Sequence, residues 1–158
     1  MERVFAPVDY HPIPGEEGWF SWNLKDATRY NGVVLGPLKV RHEQVGDRRY
    51  TRLRMIPEHK HTNIQDMVHG AATLGLIDIA LFAGAQTLGR GHDGPMVTLE
   101  LSTQFVGAGK PDLPLAAVTE IVRETGRMVF LRGQVVQEDH VVASFSGIVR
   151  KLSSRGGA

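Results

Sequence analysis

The sequence predicts an α+β fold in which an antiparallel sheet of about six strands wraps around one long central helix, at about residues 67–88. Three observations carry this. From Met67 to Ala85 the chain is largely apolar and holds one charge, Asp78, while no other Asp, Glu, Lys or Arg falls between Asp66 and Arg90. After that run, four stretches alternate at period two with short gaps between them, and one hairpin stands before it. A helix that is apolar on nearly every side cannot lie on a sheet with one face in water, so the sheet has to curl around it.

Residues 1–30 hold Pro7, Pro12, Pro14, Gly15 and Gly18 beside "WFSW" at 19–22, which reads as an extension that packs by its aromatics. The main domain is expected over 31–152. Its first strands fall at about 33–45 and 49–56, joined by the turn signal Gly46-Asp47, and Pro57 ends the second. The apolar run follows, with Asp66 as its expected N-cap. It approaches the length of a membrane span, but a carboxylate near its centre costs about 2.5–3.5 kcal/mol on insertion scales, so a buried core helix is the better reading. "GRGHDGP" at 89–95 is a loop. In "MVTLELSTQFV", Val97, Leu99, Leu101 and Phe105 are expected on one face and Thr98, Glu100, Ser102 and Gln104 on the other. "PLAAVTEIVRE", "RMVFLRGQVVQ" and "HVVASFSGIVRKL" supply three further antiparallel neighbours. Pairing two such sheets edge to edge would protect their edge strands. The tail 153–158, "SSRGGA", reads as mobile.

Composition narrows the function. A chain of 158 residues, 42% hydrophobic and 22% charged, buries a real core as one domain. A formal net charge of +1 with dispersed charges gives no reason to expect a nucleic-acid groove or a polybasic membrane anchor, whereas anionic small molecules need only a few local cations. With no cysteine, disulfides, thiolate metal sites and cysteine nucleophiles are excluded, and a cytoplasmic location fits. The N-terminus shows no apolar h-region, so no secretory signal is expected. "HKH" at 59–61 lacks a third ligand at metal spacing and reads as a solvated loop; no metal site is expected.

The chemistry centres on Asp78, because an unpaired buried carboxylate is too costly to keep without a use or a partner. His69 lies nine residues before it. That spacing on an α-helix separates the two by about 13 Å and half a rotation, so they cannot touch within one chain. If they serve one site, two chains build it. The helix start offers the Gly70 N–H, bare of side-chain cover and without an intrahelical acceptor, to a developing oxyanion, and Asn63 upstream offers a second donor. A carboxylate facing a polarised carbonyl in an apolar chamber describes acyl transfer to water, with Asp78 as general base or as nucleophile. Each residue also has a structural reading: Asp78 as a satisfied core carboxylate, His69 as a cap, Gly70 and Gly75 as packing points, and Thr98 as a surface threonine.

These residues in this spacing resemble the hotdog-fold acyl-CoA thioesterases, specifically the PaaI-like branch of the 4-hydroxybenzoyl-CoA thioesterase superfamily. The resemblance rests on Asn63, "MVHGA" at 67–71, Asp78 in "GLIDIA" and "VTLE" at 97–100, and spans about residues 33–152. It implies that Asp78 is the catalytic carboxylate and that the Gly70 N–H with Asn63 polarises the thioester carbonyl. Thr98 would position water or the carboxylate, and His69 would orient the loop. It further implies a site shared between subunits, a homodimer or a dimer-of-dimers tetramer, an acyl- or aryl-CoA substrate and no separate cofactor. Lys110 and Arg127 are candidates for holding the CoA moiety, with Arg123, Arg150 and Lys151 behind them. The family's first glycine is Asp66 here and the second after His69 is Ala71. Asp66 puts a carboxylate near the oxyanion site, where it repels charge, caps the helix or assists water; Ala71 bears on the width of the acyl tunnel. Two rivals remain: a non-catalytic acyl-CoA sensor, favoured by the altered glycine loop, and a hotdog enoyl-CoA hydratase or dehydratase, disfavoured because none of the seven His sits in a hydratase-type loop.

Overall fold

The computed structural model describes residues 7–92 and 94–153. The expected mobile tail lies outside these residues except for Ser153. In chain order the elements are β1 (Val8–Asp9), β2 (Trp19–Ser21), β3 (Asn23–Leu24), a π-helical turn (Asn31–Leu35), β4 (Lys39–Val45) and β5 (Arg48–Met55). A 3-10 turn (His59–His61), helix α1 (Gly70–Leu88) and four long strands follow: β6 (Met96–Phe105), β7 (Leu115–Glu124), β8 (Met128–Gln137) and β9 (His140–Lys151). One antiparallel sheet of seven strands runs β2-β4-β5-β7-β8-β9-β6 and holds α1 against β5 through β9. This is the hotdog arrangement. By length and composition α1 would span a bilayer, but most of it is buried inside this sheet.

The core forms where α1 crosses the sheet. Leu76, Ile77 and Leu81 of the helix meet Leu53, Met55, Leu115, Leu131 and Val149, all 2% exposed or less. Each such side chain contributes roughly 1.5–3 kcal/mol. Close approach depends on glycine at the crossing: a Cβ on Gly147 would lie 2.4 Å from Leu81 Cδ1.

Four expectations need correction. The strand expected from 33 begins at Lys39, because Asn31–Leu35 turns back on itself, with the Gly36 N–H donating to the Asn31 carbonyl. The segment expected to be only an extension, before residue 30, adds the short edge strand β2, so that the sheet of about six expected strands has seven. The helix begins at Gly70, and its N-cap is His69, not Asp66. Finally, the two faces of β6 are not those that plain alternation predicts. The pairing of β6 with β9 shifts between Thr98 and Glu100, and this bulge leaves Leu99 52% exposed while Thr98 turns in toward α1.

The two edges of the sheet differ. β2 offers three residues, and Trp19 within it is buried beneath the guanidinium groups of Arg41 and Arg54. β6 offers ten residues, pairs only with β9 among the described residues, and exposes Val97, Leu99 and Phe105.

Candidate active site

The loop before α1 is fixed by its own polar groups. Asn63 Oδ1 accepts the N–H groups of Gln65 (2.9 Å) and Met67 (3.2 Å), and the Asn63 N–H donates back to the Met67 carbonyl. This is the local turn chemistry that asparagine favours. It consumes the residues expected to start the helix. Asp66 takes φ 57°, in the left-handed region, so it keeps a backbone that glycine would adopt and asparagine or aspartate tolerates. That accounts for the departure at Asp66: the loop geometry survives it. The Val68 N–H donates to the Gly109 carbonyl and the His69 N–H to the His61 carbonyl, tying the loop's end to its neighbours.

His61, in a stretch expected to be a solvated loop, is instead 3% exposed. Its Nδ1 accepts the Glu58 N–H at 2.8 Å and its Nε2 donates to the Val34 carbonyl at 2.5 Å. One imidazole therefore joins the turn at 31–35 to the base of the site loop. A histidine among charged neighbours gives no sequence signal of burial, so this role was not legible.

At the helix start the donors can be accounted for one by one. The Ala71 N–H donates to His69 Nδ1 at 2.9 Å, and the N–H groups of Ala72 and Thr73 donate to the His69 carbonyl. The Gly70 N–H has no partner among the described residues. Of the four orphan donors that open an α-helix, it is the one left free. Gly70 also lies under Phe105, since a Cβ there would be 3.3 Å from Phe105 Cζ.

Asp78 sits two turns further on, half-buried, and its Oδ1 accepts from Thr98 Oγ1 at 2.7 Å. Among the described residues no cation pairs with it, and no hydrogen bond joins it to His69, Asn63 or Thr73. The structure thus brings Thr98 to Asp78, keeps Asn63, His69 and Gly70 together at the helix start, and separates the groups by about 12 Å along the axis. Ala71 and Leu74 are exposed and Gly75, Asp78 and Phe82 partly so, which leaves one stripe of the helix uncovered in the single chain.

The proposed CoA-holding cations are not brought together. Lys110 donates its N–H to Gln137 at the end of β8, beside the loop that contacts Val68, whereas Arg127 lies just before the beginning of β8. The ten residues of that strand, at about 3.3 Å each, stand between them. Lys151 is paired with Glu124 and is 11% exposed, which withdraws it from the surface.

Residues 65–144 match the model of the thioesterase superfamily. Among solved structures, the chain is similar to a mutant of the phenylacetic acid degradation protein PaaI from Thermus thermophilus, with 25% identity over 73% of this chain and 93% of that one and a TM-score of 0.61. It is also similar in fold to the PaaI protein from the phenylacetic acid degradation operon of E. coli, with 16% identity, coverage of 80% and 87%, and a TM-score of 0.64. A third is a hypothetical thioesterase protein with coenzyme A from Streptococcus pneumoniae, at 21% identity, coverage of 74% and 91%, and a TM-score of 0.58. No curated protein matches the chain.

Proposed function

The chain belongs to the thioesterase superfamily, and from that premise we propose that it hydrolyses an acyl- or aryl-CoA thioester by carboxylate-assisted attack of water, at a site shared between two copies of the chain. The observation that carries this reading is a division of labour along α1: an unpartnered N–H at Gly70 and an oriented carboxylate at Asp78, too far apart to act on one carbonyl within a chain.

The edge strand supports a way to join them. β6 runs antiparallel to α1, with Thr98 beside Asp78 and Phe105 beside Gly70. If two copies pair β6 with β6 antiparallel about a twofold axis at Ser102, where that residue faces its own copy, the one residue added by the bulge brings Thr98 of each copy opposite Phe105 of the other. The Asp78 of one copy then comes beside the Gly70 of the other. A ten-residue edge that exposes Val97, Leu99 and Phe105 and has no strand partner on its outer side among the described residues is the kind of surface that such pairing covers.

In that site the thioester carbonyl accepts from the Gly70 N–H, with the Asn63 side-chain amide as a second donor. Asp78 takes a proton from water as the oxygen adds to the carbonyl carbon, and the Thr98 hydroxyl holds the carboxylate in line. The tetrahedral intermediate carries its negative charge at the helix N-terminus, where the dipole favours it. It collapses by breaking the C–S bond, which releases the carboxylic acid and the CoA thiol, the latter taking up the proton held by Asp78. Lys110, near the helix start, is the better placed of the two candidate cations for the anionic CoA moiety. The coenzyme A in the Streptococcus protein's structure supports a ligand of this class.

Asp78→Asn tests the assignment, because asparagine still accepts from Thr98 but takes no proton. In a thiol-release assay over a panel of acyl-CoAs, turnover should fall about 10²–10⁴-fold with the melting temperature retained. Hydrolysis of a good substrate at the parental rate by the Asn variant would remove Asp78 from the mechanism. Tight binding of acyl-CoA by the parent without thiol release would favour the sensor reading.

A further inference from the structure

Tyr30 precedes the turn at Asn31–Leu35, a segment outside the matched family region. His61 and Lys60 hold that turn by the carbonyls of Val34 and Val33. It reaches α1 at Gly75, where an added Cβ would lie 3.0 Å from the Tyr30 hydroxyl and 3.2 Å from Leu35 Cδ2. The absent side chain of Gly75 is therefore replaced by a phenol and an isobutyl group from another part of the chain. Gly75 lies three residues before Asp78 and so on the same helix face, where such neighbours stand about 5–6 Å apart at Cβ. Tyr30 remains 53% exposed and its hydroxyl has no hydrogen-bond partner among the described residues. Leu35 beside it is buried at 1% exposure, which fixes the wall from behind.

Given the thioesterase reading above, on which this rests, we propose that Tyr30 is a specificity-determining residue. With Leu35 it closes the acyl space on the N-terminal side of Asp78. Its hydroxyl hydrogen-bonds an oxygen carried two or three bonds beyond the thioester carbonyl, as in a 3-hydroxyacyl group. A phenol placed there without a protein partner bonds to water in the free protein; an acyl chain that displaces this water restores the bond when it carries such an oxygen and loses it when it is a plain alkyl chain.

The test compares 3-hydroxybutyryl-CoA with butyryl-CoA, in the parent and in Tyr30→Phe, which keeps the ring and removes only the hydroxyl. The parent should favour the hydroxylated thioester by about 3–10-fold in kcat/KM, the range a neutral hydrogen bond supplies. Tyr30→Phe should bring that ratio to about one. A parental ratio near one, or a ratio that survives in Tyr30→Phe, overturns the proposal. If neither thioester is hydrolysed, the hydrolase reading falls by itself, and calorimetric binding of the same two compounds to the same two proteins decides the role of Tyr30. Loss of preference in Tyr30→Phe then supports the role, and equal or absent binding overturns it.

Discussion

At its C-terminal end, α1 hands the Leu88 carbonyl to Arg49 Nη2 at 2.9 Å, and Thr87 Oγ1 bonds both the Ala83 carbonyl and Thr51. Just beyond, the Arg90 N–H donates to Glu124, which is paired with Lys151. At its N-terminal end, the Gly70 N–H has no partner among the described residues, the stripe through Leu74 and Asp78 is uncovered, and the adjoining strand edge is bare. One end commits its polar groups to holding the fold; the other leaves the Gly70 N–H and one stripe of the helix uncommitted among the described residues, and the function proposed above assigns these to a substrate and a second chain. Stability and chemistry are thus separated along a single helix, so a substitution at one end should leave the property of the other intact.

The largest expected effect tests the closed end. Glu124 and Lys151 are 7% and 11% exposed, and removing one member of a pair so buried costs about 3 kcal/mol, because the other is left charged without compensation. Glu124→Gln should therefore lower the melting temperature by roughly 6–12 °C. Hydrolysis per folded molecule should not change, since the site lies at the other end. The loss should also depend on pH. Burial works to raise the pKa of Glu124, but the hydrogen bond from Lys151, the Arg90 N–H and the charges of both outweigh it and hold the carboxyl below its ordinary 4.5. A carboxyl whose pKa is lowered by folding adds stability above its unfolded value and loses it as pH falls through the folded one. The gap between parent and Glu124→Gln should be full near pH 7 and close as the pH falls below about 4.5. A gap of the same size in denaturant melts at pH 7 and pH 3 would show that the ion pair does not stabilise this end.

The closed end and the open end were unequally legible in the sequence. Helix α1 and the four strands after it were readable because their apolar periods run for ten residues or more. Asp78, Gly70 and Asn63 stood out by type and spacing. What local pattern could not give was the phase of β6: a bulge adds one residue, and "VTLELST" alternates equally well on either side of it. Aspartate is the better N-cap by propensity, yet the Asn63 turn uses up the residues around Asp66 and the helix starts only after His69. "NGVVLG" has the β-branched content of a strand and forms a turn only because His61 and the helix face at Gly75 receive it. Each of these errors sits at or beside the candidate site, where long-range contacts override local preference.

The smallest expected effect examines the one bond that orients the carboxylate of the open end from within its own chain. The β6 bulge is the reason Thr98 faces α1, and its hydroxyl donates the only hydrogen bond that Asp78 accepts among the described residues. Thr98→Val keeps the β-branched shape and the register of the bulge while removing the donor. A neutral hydrogen bond contributes about 0.5–1.5 kcal/mol, so kcat should fall about 3–10-fold. KM should hardly move, because the bond orients a base and does not touch the substrate's binding groups. Thr98→Ser, which restores the hydroxyl, should recover most of the rate. Parental kcat in Thr98→Val would mean that Asp78 needs no orientation from its own chain. The carboxylate would then have to be held from across the β6 edge, which moves all of its positioning into the second copy.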